Sequence, residues 1–208
     1  MVFEIGSSLI FSLIVYGFLM SKILKAFAII VILLNMGNGC DDLIDISTSR
    51  IVLYNSGTTS GGNLGGRSGA DSTCQSSKPS NVGEANVRAF ISVSATDEIR
   101  DMPLNYGVPT NIPVASPSGI LVDTDFNALL DGSIRVALAV AGVITNSTRW
   151  FSGSQSDGSV AAANCTGFTS SGVFVFSTGG DPDVTDSGWI NFTTASCAST
   201  INLLCIAF

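Results

Sequence analysis

The fourteen residues from Gly61 to Cys74, GGNLGGRSGADSTC, constrain this chain more than any other stretch. Five of them are glycine, so the backbone is free to take positive φ and to lie close against another segment. The run then enters Ala70, Asp71 and a cysteine, which reads as a turn leading into a short helix that carries a half-cystine. A bridge from that helix would pin an early segment to a distant one. The cysteines downstream, Cys165, Cys197 and Cys205, lie toward the C-terminus.

The fifth cysteine, Cys40, bears on the compartment. Residues 1–19 are apolar, Glu4 is their one charge, and no Lys or Arg precedes the run, which is the wrong flank for a signal peptide. From Met20 the layout changes: Lys22 and Lys25 form a positive start, Ala26 to Leu34 an apolar core, and small residues precede Cys40. We expect Met20 to be the initiator, residues 1–19 to be an upstream extension, and 20–39 to be a lipoprotein signal peptide. The alternative is an N-terminal membrane hairpin or an uncleaved anchor. The segment Met36-Gly37-Asn38-Gly39-Cys40 resembles the lipobox of bacterial lipoproteins, in which the cysteine is lipidated, although Gly37 stands where leucine is usual. A plain signal cut near Gly39 is the other reading. Five cysteines are an odd number for an exported chain. With Cys40 acylated, Cys74, Cys165, Cys197 and Cys205 remain as an even set that fits two disulfides, with three pairings open.

Residues 40–208 are long enough for one domain with a real core: a tether over 40–49, then a domain over 50–208. That part holds seven basic against fifteen acidic residues, a net charge of −8. The seven are scattered, so a phosphate-tracking basic face is missing and no nucleic-acid partner is expected. Histidine is absent from the chain, which removes Ser-His-Asp and Cys-His catalysis and every imidazole metal site. An all-cysteine zinc site lacks a C-x-x-C pair, and exported thiols oxidise, so disulfides are the expected state.

Along the domain, Arg50 to Tyr54 (RIVLY) predicts a first strand, and Gly69 to Ser77 a short helix with Ser68 as its cap and Pro79 beyond its end. Arg88 to Ser94 alternates as a strand, and the segment from Thr96 (TDEIRDM) predicts one or two helical turns. Residues 103–122, punctuated by Pro103, Pro109, Pro113 and Pro117, predict irregular backbone with a brief strand over Gly119 to Val122. A short helix is expected from Asp123 or Thr124 to Leu130, ended by Gly132. Ile134 to Ile144 suits a buried strand or a helix, and its length and valines favour strand. From Trp150 onward short strands alternate with turns and end in INLLCIAF. The predicted class is α+β, with short helices, small antiparallel sheets and long loops.

The segments GGNLGGRSGADSTC, RAFISVS, FNALLDG, WFSGSQSDGS, NCTGFTSS, GW and CASTINLLCIAF, in that order, resemble the endostatin-like, C-type-lectin-like domain of unknown function found in spirochaete surface lipoproteins. The resemblance spans about Arg50 to Phe208. It implies a C-type-lectin-like fold with Cys74 joined to Cys205 and Cys165 to Cys197. Those bridges would close loops of 131 and 32 residues, worth roughly 5 and 3.5 kcal/mol by chain entropy. The chain departs from the family pattern at Trp150-Phe151-Ser152-Gly153, where Trp-Thr-Gly is usual, and at Phe168, where a second tryptophan is common.

Asp181, Asp183 and Asp186 are the calcium candidates, three carboxylates in six residues. The Pro-flanked amide of sugar-binding C-type lectins is missing, and a solvated acidic turn accounts for the same residues, so no cofactor is expected. Trp150 and Trp189 suit core positions better than sugar platforms. Arg67 is the lone cation of the glycine run, which lacks the G-K-[ST] ending of a phosphate loop. Asp97, Glu98 and Asp101 fit an acidic first helical turn rather than paired catalytic acids.

The resemblance implies a lipid-anchored, surface-displayed binding module, not an enzyme. Its contact loops would be 103–117 and 152–186, and its partners, besides the membrane, host extracellular-matrix or serum proteins. The alternatives are a structural envelope lipoprotein without a host ligand, or a calcium-dependent lectin.

Overall fold

The computed structural model describes residues 49–58, 61–146 and 148–208, so the expectations for the N-terminal extension, the signal peptide, Cys40 and most of the tether lie outside the described residues. Eight strands form one sheet: β1 (Ile51–Thr58), β2 (Val87–Ala89), β3 (Val114–Ala115), β4 (Leu121–Asp123), β5 (Trp150–Phe151), β6 (Phe176–Gly180), β7 (Thr193–Ser196) and β8 (Asn202–Ala207). Their order is β4-β3-β1-β8-β5-β6-β7, and β2 also pairs with β8. Pairing is mostly antiparallel, with β1 parallel to β3 and β5 parallel to β8. Among the described residues the helices α1 (Gly66–Ser76) and α2 (Met102–Tyr106) are short, and the class is mixed α+β. The small sheets expected from the sequence are joined into one.

The continuous apolar runs of β1 and β8 follow from burial on both faces of the sheet. Ile51 and Leu53 of β1 join Leu204 and Ile206 of β8 in one core, with Phe90, Phe126, Trp150 and Trp189. Val52 and Tyr54 join Leu203, Cys205 and Ala207 in the other, with Cys74, Phe151 and Phe168. Asn202 is the polar residue of β8, and it is fully buried. Its amide exchanges hydrogen bonds with the Asn146 amide at 3.0 and 3.1 Å, donates to the Thr148 carbonyl at 2.6 Å and accepts from Asn55 at 3.0 Å. That satisfied network sits where β1 bulges and β5 begins, and an apolar residue there would strand Asn55 and Asn146.

Two disulfides staple the fold: Cys74 to Cys205, from α1 to β8, and Cys165 to Cys197. Helix α1 starts at Gly66, three residues before the predicted start, because the left-handed Gly65 and not Ser68 occupies the N-cap. Tyr54 donates its hydroxyl to the Cys74 carbonyl at 2.7 Å, and its burial drives the phenol pKa far up. The predicted strand over 88–94 is confined to Val87–Ala89. The predicted helix before Gly132 is only a 3-10 turn over Ala128–Leu130.

The segment 134–144 is neither strand nor helix. Ile134, Leu138, Ala141 and Ile144 are buried, yet the backbone bonds piecemeal to separate segments: Ile134 N–H to Thr185, Arg135 to Val122 of β4, Ala139 to Pro182. With those donors taken by scattered carbonyls, no ladder forms, so burial there tracks apolar content without regular structure.

Candidate functional site

The glycine run serves packing. Gly62 lies against the Cys165–Cys197 bridge, where a Cβ would overlap the Cys165 sulfur. Arg67 turns inward instead of facing an anion. Its guanidinium makes a bidentate pair with Asp97 at 2.8 and 2.9 Å and also donates to the carbonyls of Ala89 and Ile91. Such bidentate, charge-assisted bonds are the strong ones, and this one ties α1 to the segment after β2. Tyr106 of α2 lies under both Arg67 and Arg88 and donates its hydroxyl to Asp97 at 3.0 Å. Asp71 receives the Ala89 amide at 2.8 Å and faces both arginines. Burial still pushes its carboxyl above the usual range against those opposing pulls.

Two of the three acids weighed as catalytic, Asp97 and Glu98, are thus scaffold. Asp97 is the counter-ion of Arg67. Glu98 is buried, accepts the Val160 amide at 2.9 Å and pairs with Arg100. Trp150 and Trp189 are fully buried, with ring centroids 5.9 Å apart, and the Trp150 indole donates to the Trp189 carbonyl at 3.0 Å. A Cβ at Gly180 would overlap both the donor and the acceptor. The calcium candidates build turns. Asp181 accepts from the Asp183 amide, and Asp186 accepts from Gly188 at the head of the 3-10 turn Ser187–Trp189. Among the described residues, no three His, Cys, Asp or Glu side chains group in a way that could hold a metal ion.

What the scaffold presents is the segment between the half-cystine Cys165 and β6. Cys165, Thr166, Gly167 and Phe168 all have φ between 53° and 64°, a single left-handed turn. Left-handed backbone costs a non-glycine residue roughly 1–2 kcal/mol, so this turn needs outside support. Asn164 supplies it by accepting the Gly167 amide at 3.0 Å and donating to the Val93 carbonyl at 2.9 Å. The disulfide and the buried Phe168 ring, edge-on to Phe151, hold the rest.

Beyond the turn the chain exposes Val173 (59 %), Phe174 (90 %) and Phe176 (46 %). Phe174, Val175 and Phe176 form one wall of an open groove of about 520 Å³, and Ala162, Ala163, Asn164 and Thr166 form the other. No lining residue is titratable. The surrounding sequence is uncharged too, since residues 158–180 and 187–208 hold no Asp, Glu, Lys or Arg. The groove falls inside the predicted contact loop 152–186. The loop 103–117 differs from expectation in that Pro103 lies in the first turn of α2, where its missing N–H has no helical partner to lose. It exposes Leu104.

Two disulfides mark an exported, oxidising setting. Among the described residues no helix is long and apolar enough to cross a membrane. No protein-family model matches the chain, and no curated protein matches it.

Proposed function

We propose that the chain is a lipid-anchored envelope protein whose C-type-lectin-like domain is a non-enzymatic binding module, displayed at the cell surface toward host extracellular-matrix or serum proteins. The groove between residues 162–166 and Phe174–Phe176 carries this reading. It is uncharged, open and aromatic-walled, and it stands on a stapled, backbone-strained frame rather than on a mobile loop. Exposed aromatics on a rigid support are what a protein partner uses as anchors. The groove offers no nucleophile and base.

The test is solid-phase binding of the purified full chain to matrix and serum proteins, beside a Phe174→Ser variant. Phe174 lies almost wholly in solvent, so the variant keeps the fold. The reading predicts measurable binding that weakens about tenfold or more in the variant, the scale of a lost aromatic anchor. Binding no better than that of an unrelated acidic domain, or binding indifferent to the substitution, would contradict it.

A further inference from the structure

The two ends of the main strand order are treated differently. At one edge β4 is short, its pairing with β3 slips at a bulge, and it ends in the buried Asp123. These are the usual protections against strand addition. At the other edge β7 pairs with β6 in unbroken register from Thr193 to Ser196 and is Thr-Thr-Ala-Ser, with no charge, proline or bulge. Apolar side chains stand at both of its ends. Phe192 precedes it, 48 % exposed with Arg149 over its ring, and Val173 lies against its last residue, where Ser196 donates its hydroxyl to the Val173 carbonyl at 2.9 Å.

We infer that β7 is a homodimer edge that pairs antiparallel with β7 of a second copy. Charge selects this occupant. The domain carries an excess of acids, so copies repel at other faces, while β6, β7 and β8 come from the two stretches without a charged residue. Symmetry selects it too. In a two-fold antiparallel pair the start of one β7 meets the end of the other, so the same four residues form both sides of the seam. A single patch is then self-complementary. The sheet runs on across the interface, and the open backbone edge is satisfied.

This goes beyond the binding reading and leaves the groove free, because the groove lies on the side of β6 that faces residues 162–164, away from β7. A dimer would present two grooves in one assembly, which raises avidity without any new contact.

The experiment is sedimentation velocity on the full chain in density-matched detergent, for the wild type, Thr194→Lys and Phe174→Ser. Thr194 is exposed on β7, so lysine fits the monomer but opposes like charges across the pair. The inference predicts a wild-type protein mass of two copies, a twofold drop in Thr194→Lys with an unchanged circular dichroism spectrum and unfolding midpoint, and a dimer in Phe174→Ser. A wild-type monomer, or a Thr194→Lys dimer as tight as the wild type, overturns it. A wild-type monomer that partitions onto zwitterionic phosphatidylcholine vesicles also overturns it, and assigns the neutral face to lipid. Failure of matrix binding with the dimer intact would strike the functional reading alone.

Discussion

At the residue scale, the two tryptophans occupy one core but carry different polar debts. The Trp150 indole N–H is satisfied by the Trp189 carbonyl, whereas the Trp189 indole N–H is buried without a partner. An unpaired buried donor costs about 1–3 kcal/mol, and removing it recovers that amount. Trp150→Phe is therefore predicted to destabilise by several kcal/mol, from lost volume plus a stranded carbonyl. Trp189→Phe loses similar volume but sheds an unsatisfied group, so its cost is expected to be smaller by about 1–3 kcal/mol. Urea unfolding midpoints of the two variants check the order. Equal costs, or a larger cost at Trp189, would contradict an unpaired indole at that position. Both tryptophans could be placed in the core from sequence because large indoles in the fold the chain resembles usually fill the core. The asymmetry between them could not, since it depends on which carbonyl Gly180 lets approach.

At the element scale, the left-handed turn Cys165–Phe168 is where sequence reasoning had least purchase. Thr166 and Phe168 are poor left-handed residues, and nothing local in NCTGF announces the conformation. The signal lies in Asn164, whose side chain can cap the turn, and in a cysteine whose partner is 32 residues away. Asn164→Ala is predicted to lower stability by about 1–2 kcal/mol through loss of the cap and of the bond to Val93. It should also speed proteolysis within residues 164–176, as limited digestion followed by mass spectrometry would reveal. An uncut segment with unchanged stability would mean the disulfide alone maintains the turn. Strands β1 and β8 were legible because both faces of each are buried, giving apolar runs that only a central strand tolerates. The run 134–144 has the same composition and no strand, because its donors are taken by Thr185, Val122 and Pro182, contacts distant in sequence. Helix α1 was legible in kind but began early, since glycine at positive φ serves as its cap. The exposure of Val173, Phe174 and Phe176 was not legible, because a short apolar run looks the same in sequence whether it is buried or exposed.

At the scale of the whole molecule, charge and covalent staples divide the domain into a guarded part and an open one. Arg67, Arg88, Asp71 and Asp97 knit α1 to β2 and α2, and the Cys74–Cys205 bridge ties the same helix to the central strand. The uncharged part, around β6 and β7, carries the groove and the unprotected edge.

The central claim, an exported, lipid-anchored and doubly stapled module, is tested most directly by intact-mass and non-reducing peptide analysis of the protein taken from its native membrane. The predicted result is a chain that begins at Cys40 with added acyl mass and gains four hydrogens on reduction, with Cys74 linked to Cys205 and Cys165 to Cys197. A chain that retains residues 1–39, or that carries free thiols at those four positions, would contradict the account.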